Sequence, residues 1–309
     1  ISIINRNHLD CGFLFLHMSK ILITGGTGLI GKRLTEMLVE RDHDVVILSR
    51  SPKKPNEYKW NISKSYIDVK AIENIGYIVH LAGAGIAEKR WTKKRKQLII
   101  DSRVKSANLL FEKISEQNIN LKGFISASGI GYYGNKNSDK ELIETDIVGT
   151  DFLAIVCKKW EQAALQFLKI KTSVTIFRTG IVLTKKGGAL EKMKTPIISP
   201  LGSGNQYISW IHIDDLCNLY IEAIENNLKG IYNAVSPEII TNKEFSETLA
   251  KNINRPFINI GIPSIILKLV FGKMSSLLLN GNKISAKKIE KNNYSFRFSK
   301  LPKALNNLK

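Results

Sequence analysis

Short apolar runs alternating with amphipathic helix patterns predict an α/β fold for this chain, built on a parallel, doubly wound sheet. Two observations sharpen that prediction. The strongest run, Lys20–Thr24, opens directly into Gly25-Gly26-Thr27-Gly28-Leu29-Ile30-Gly31 and then into a periodic helix, Leu29 to Glu40. Beyond Arg178 the rhythm breaks into loops and short helices, which predicts a smaller mixed α/β lobe over the carboxyl edge of the sheet.

The glycine turn has the spacing G-x-x-G-x-x-G. The first glycine lets the chain turn sharply, the second lets the backbone approach a pyrophosphate, and the third lets helix pack close to strand. The helix start adds free N–H groups and a positive dipole end. Strand, turn and helix in that order predict a Rossmann-type dinucleotide site at residues 25–31.

The remaining elements follow in order. A second strand, Asp44–Leu48, ends in Ser49-Arg50 with Lys53 and Lys54 behind it and no acid. An acid at that point bonds the adenosine ribose, whereas Arg accommodates a 2′-phosphate, so NADP is expected over NAD. A weaker strand at Tyr58–Asn61 precedes Ile78–Leu81, whose small-residue end Ala82-Gly83-Ala84-Gly85 leaves room for a ligand. A long basic helix runs from about Thr92 to Gln117, and the fifth strand, Gly123–Ala127, opens into Ser128-Gly129-Ile130-Gly131-Tyr132-Tyr133-Gly134. A helix from about Gly149 to Lys169 and a sixth strand, Ser173–Phe177, complete this part. Leu81, Ala82, Gly83, Ser126 and Arg178, at strand ends, join Arg50 and the turn as expected cofactor contacts. Gly230–Ala234 is expected to return to the sheet, and Phe296–Phe298 reads as strand-like. The predicted division is a cofactor domain over 18–178, with 206–235 rejoining it, and a substrate lobe over 179–205 and 236–309.

Composition narrows the function classes. With 309 residues, 43% hydrophobic and 24% charged, the chain can bury a full core. No apolar run reaches the ~20 residues of a membrane span, and Pro263–Leu279, interrupted by Lys268 and Lys273, reads as a packed helical segment. No membrane partner is expected. The net charge of +19 suggests nucleic acid, yet no aromatic residues interleave with the Thr92–Lys96 or Lys283–Lys291 clusters. No specific nucleic-acid binding is expected, and a basic surface attracts an anionic cofactor equally well. Cys11, Cys157 and Cys217 make no C-x-x-C pair, which points to a reducing cytoplasm. Residues 1–17 lack periodicity and read as a translated leader or a disordered tail before a start at Met18. No metal-ligand spacing appears.

Taken together, Gly25–Gly31, Ile78-Val79-His80-Leu81-Ala82-Gly83, Ser126-Ala127-Ser128 and Trp210-Ile211-His212-Ile213-Asp214-Asp215 resemble the extended short-chain dehydrogenase/reductase family. Gly272-Lys273-Met274, Leu277–Leu279, Lys287-Lys288, Phe296-Arg297-Phe298 and Ala304-Leu305 are similar to the C-terminal domain of its atypical, epimerase-family branch. The resemblance covers Met18 to the C-terminus. It implies a small-molecule substrate, with a homodimer as a candidate assembly. In ordinary members a Ser polarises the substrate, a Tyr transfers the proton, a Lys four residues on lowers its pKa, and an Asn orders a water. Ser128 matches the serine; the Tyr, Lys and Asn positions fall on Leu153, Cys157 and Arg103. General acid–base catalysis needs a titratable group within reach, and Leu153 offers none.

Three readings stay open. Tyr132 or Tyr133 donates the proton, with Arg103 supplying positive charge; Cys157 is the acid or a reactive thiol rather than inert core; or the chain binds NADP(H) without turnover. On the substrate side, Gln206 and Trp210 lie where extended members build their pocket. Trp210 offers either a flat face to a sugar or aromatic ring or a core residue.

Overall fold

The computed structural model describes residues 18–135 and 139–309, so the leader reading of 1–17 lies outside the described residues. In chain order the elements are β1 (Lys20–Thr24), α1 (Leu29–Val39), β2 (Asp44–Ser49), β3 (Glu57–Asn61), β4 (Tyr66–Ile67), β5 (Tyr77–His80), α2 (Lys93–Glu116) and β6 (Gly123–Gly129). They continue with α3 (Phe152–Leu165), β7 (Ser173–Thr179), β8 (Ile181–Leu183), α4 (Gly188–Met193), β9 (Trp210–His212), α5 (Ile213–Glu225) and β10 (Gly230–Ala234). The C-terminal part contributes α6 (Asn242–Asn252), α7 (Ser264–Phe271), α8 (Ser276–Leu279), α9 (Lys287–Glu290) and α10 (Leu301–Asn307).

The main sheet has the order β10-β7-β6-β5-β1-β2-β3-β4, parallel throughout except for the β3–β4 pair. The chain winds outward from β1 to β4, then crosses back to β5 on the other side of β1. That reversal makes the β1/β5 boundary the switch point where open α/β sheets bind ligands.

Alternation along each strand feeds two layers. Ile21 and Ile23 pack with Val79, Leu34 and Leu216 under α1 and α5, whereas Leu22 packs with Ile78, Phe124, Leu110 and Phe167 under α2 and α3. All are buried, and each such side chain contributes about 1.5–3 kcal/mol. Helix starts are capped by side chains: Thr92 Oγ1 accepts from Arg95 N–H, Asp151 from Ala154 N–H, and Thr241 forms a reciprocal box with Glu244. The Asp151 cap starts α3 at Phe152 rather than Gly149, and a 3-10 turn (Gln166–Ile170) ends that helix early.

A third apolar cluster, with Leu183, Ile198, Trp210, Phe245, Leu301 and Leu305, forms the smaller lobe. Two features there differ from expectation. Phe296–Phe298 is not a strand, because the Asp215 carboxylate accepts the N–H groups of Arg297 and Phe298 that a ladder would use. The Pro263–Leu279 segment is helical and buries Met274 and Ser275, but α7 itself is not packed: it buries only Leu267, leaving Ile265 66% and Leu269 74% exposed. Both faces of the main sheet are already covered by α1/α5 and α2/α3, so no apolar surface of the sheet remains for it. Also unforeseen in the pattern are β4 and the two-stranded β8–β9 sheet.

Candidate functional site

At the switch point the chain leaves β1 with Gly25 at φ 73°, a region that favours glycine. Its neighbour is the end of β5: a Cβ at Gly25 would stand 2.9 Å from the Leu81 carbonyl carbon. Gly31 is held tighter, since a Cβ there would lie 2.5 Å from both Gly25 O and Gly26 Cα. Thr27, Gly28 and Leu29 are exposed, Ile30 is half-buried, and Gly26 is buried against Ile47. No side chain caps α1 at Gly28, so the first-turn N–H groups of this helix are left for a ligand. The cradle fits a dinucleotide pyrophosphate by shape and by donor chemistry.

A buried polar chain braces it. Ala82 N–H donates to Thr24 Oγ1, which leaves the threonine proton for His80 Nδ1 at 2.9 Å. His80 Nε2 then faces Ser106 Oγ at 3.1 Å and the Arg103 carbonyl at 3.3 Å. Burial pushes the imidazole down to about 4, so it is neutral at pH 7.

Arg103 sits beside this chain. Its Nη1 donates to the carbonyls of Ala84 and Ile99, its Cζ lies 4.8 Å from the Trp160 ring centroid, and a Cβ on Gly83 would meet that Cζ at 2.8 Å. Burial pushes it down to about 10, which keeps it charged at pH 7. Its Nε is buried with no hydrogen-bond partner. Gly83 is exposed, Leu81 half-buried and Ala82 buried, so this strand end presents backbone rather than side chains.

The opposite wall is closed. Ser128 Oγ donates to Glu161 Oε1 at 2.7 Å, and the same carboxylate accepts Arg178 Nε and Nη2, each at 2.9 Å. Arg178 Nη1 donates to Tyr133 OH and the Glu144 carbonyl, and Tyr133 OH donates to Asn233 Oδ1 at 2.6 Å. Burial pulls the guanidinium down, but the Glu161 carboxylate outweighs it and raises Arg178 above its ordinary value. Burial pushes Tyr133 up to about 12 and the Cys157 thiol up to about 11. Tyr132 is half-buried, with its ring on the Arg178 guanidinium, 3.3 Å from Cζ to centroid. Leu153 is half-buried beside Gly131.

Several expected contacts move accordingly. Ser126 and Arg178 are buried and present no surface to a cofactor, because strand pairing encloses the first and Glu161 claims the second. Tyr133 is a buried bridge between strands and not a proton donor to a ligand. Trp210 is a core residue of the smaller lobe, not a pocket face. Gln206 is buried too, its Nε2 tying the Leu201 and Leu278 carbonyls together. Arg50 stands exposed at the end of β2 with Lys53 and Lys54. Sequence reasoning missed Glu161 as the hub; its spacing from Cys157, one turn along α3, was the available signal. Among the described residues no His, Cys, Asp and Glu side chains cluster as a metal site.

Comparison with known proteins agrees with this architecture. Residues 21–151 match the model of the NAD dependent epimerase/dehydratase family, and residues 262–308 match a domain of unknown function, DUF1731. An epimerase family protein of Staphylococcus aureus is 36% identical over 302 residues, covering 94% of this chain and 99% of that protein. The counterpart from Staphylococcus saprophyticus is 34% identical over 305 residues, covering 94% and 99%. Among solved structures, human epimerase family protein SDR39U1 with NADPH superposes with a TM-score of 0.83 at 30% identity, covering 94% of this chain and 98% of that one. A nucleoside-diphosphate sugar epimerase from Corynebacterium glutamicum gives 0.76 at 28% identity, covering 93% of this chain and 57% of that one. The chain therefore belongs to the NAD-dependent epimerase/dehydratase family, in the atypical short-chain dehydrogenase/reductase branch that carries this C-terminal domain.

Proposed function

We propose that the protein binds NADP(H) in the Gly25–Gly31 cradle and acts as an oxidoreductase or epimerase-like enzyme on a small molecule, with Tyr132 as proton donor and Arg103 as fixed positive charge. One observation carries the reading: Ser128, Tyr133 and Cys157 are buried, whereas Tyr132 is only half-buried and keeps part of its surface open. NADP over NAD is supported by Arg50, exposed at the end of β2 where no acid stands, and by the relative with NADPH at 30% identity. The cofactor supplies hydride chemistry when bound; the chain positions it through turn backbone and Arg50.

A second reading, a catalytically silent NADP(H) binder, is favoured by Ser128, whose proton points at Glu161 and not at the cleft. The thiol reading loses support, because a Cys157 pushed up to about 11 stays protonated at pH 7.

Thermal shift with NADPH and NADH, followed by NADPH oxidation across a panel of carbonyl compounds, separates these. A larger shift with NADPH is expected, and Tyr132→Phe is expected to lower turnover by about 10²-fold or more. Unchanged turnover discards Tyr132, binding without any turnover selects the silent reading, and no shift with either nucleotide sinks both.

A further inference from the structure

Six apolar side chains of one segment, residues 258–270, are exposed to solvent. Ile258 and Ile260 alternate on the same side of an extended stretch whose backbone is zipped to residues 198–202. Ile265, Ile266, Leu269 and Val270 follow on α7 at positions i, i+1, i+4 and i+5, one continuous face of the helix. Helix α7 is held from outside its apolar face: the Arg90 guanidinium donates to the Leu269 and Val270 carbonyls. The helix is thus fixed in place with its greasy side outward.

Charge is segregated in the same segment. Between Glu247 and Glu290 the chain carries no acidic residue and seven basic ones, Lys268 and Lys273 among them. Lys268 is exposed on α7 itself and Lys273 on the turn that follows. The whole chain carries +19. A second copy docked symmetrically on this face would bring Lys268 toward its own counterpart. A surface of opposite charge with an apolar interior does not have that conflict.

We infer that α7 with the preceding stretch 257–262 is a docking face for an anionic lipid bilayer, the helix lying in the interface plane with Ile265, Ile266, Leu269 and Val270 inserted. An in-plane helix buries its apolar face ~5–10 Å into the headgroup boundary. One short apolar helix holds weakly alone, and the acid-free basic segment supplies the second, electrostatic attraction. The contact is peripheral, since no helix among the described residues is long and apolar enough to cross a membrane. It revises the expectation of no membrane partner.

The test is co-sedimentation of the full chain with vesicles of phosphatidylcholine alone or with about one-quarter phosphatidylglycerol. Capture by the phosphatidylglycerol vesicles is expected to exceed capture by pure phosphatidylcholine by about tenfold and to weaken as salt shortens the screening length from about 10 Å at 0.1 M. Leu269→Glu with Val270→Glu, both at exposed positions, is expected to lower capture by about tenfold or more while leaving the NADPH-induced thermal shift intact. Capture by neither vesicle overturns the inference, as does a double variant that binds like the parent. A dimer in light scattering that the double variant dissolves, without vesicle capture, identifies a second copy as the occupant and overturns it too.

Discussion

The two walls of the cleft are built on opposite principles. At Gly25–Gly31 no side chain caps the start of α1, and Thr27, Gly28 and Leu29 are exposed to a ligand. At Ser128–Glu161–Arg178–Tyr133 every charged or hydroxyl group is spent on another side chain, and the whole cluster is buried. One wall leaves a helix start open to a ligand, while the other ties its polar side chains to one another as a structural clamp. The contrast teaches that cofactor binding and proton transfer are separable: the first needs only glycine geometry, the second needs a titratable group with access.

Four measurements break or sharpen that contrast. The largest effect is expected from Glu161→Ala, which leaves Arg178 charged and buried without its carboxylate; urea unfolding should register a loss of about 3–5 kcal/mol. If Glu161 were instead a catalytic acid, stability would hold and only turnover would fall. Next comes Gly31→Val, whose Cβ meets backbone at 2.5 Å. It should cost about 1–3 kcal/mol in the same assay and eliminate the NADPH thermal shift. A variant that still binds NADPH would refute the role given to the cradle.

The third test uses pH. His80 is neutral in the fold, with its pKa down to about 4 by burial, against 6.5 when unfolded. Below 6.5 the unfolded chain takes a proton that the folded chain refuses, so stability is full above that pH and declines toward 4. Unfolding at pH 7 and pH 5 should differ by about 2 kcal/mol from this group, with the cradle failing first because His80 braces Thr24. A flat profile would remove His80 from that account. The smallest effect is Arg50→Ala: NADPH affinity should fall about tenfold, the worth of one charge-assisted contact, with NADH binding unchanged in titration calorimetry. Equal loss for both nucleotides would reduce Arg50 to general charge.

Much of the fold was legible because its signals are local. The glycine spacing and the short apolar runs of the strands act within a few residues, whereas the Asp151 cap that sets the start of α3 at Phe152 stands outside that reading. The cradle was legible for the same reason. The clamp was not, since Ser128, Glu161 and Arg178 meet across three elements and any one alone reads as an ordinary polar residue. A strand-end position predicts cofactor contacts at Ser126 and Arg178 but does not reveal which way a side chain faces or what claims it, and Trp210 takes the core alternative. Hydrophobicity alone predicts packing for Pro263–Leu279, but it says how apolar a face is and not whether a partner surface remains for α7.

The reach of Asp215 has a consequence for how the chain is made. Its carboxylate, in the first turn of α5, accepts amides from Arg297 and Phe298, 82 and 83 positions later. Until that stretch has left the ribosome, α5 carries a buried acid without its donors, against the very layer that covers the β1 face of the sheet. The first strand among the described residues, β1, therefore waits for residues near 297 before its cover is complete. A chain ending before Arg297 would leave the Asp215 carboxylate in α5 without those two donors.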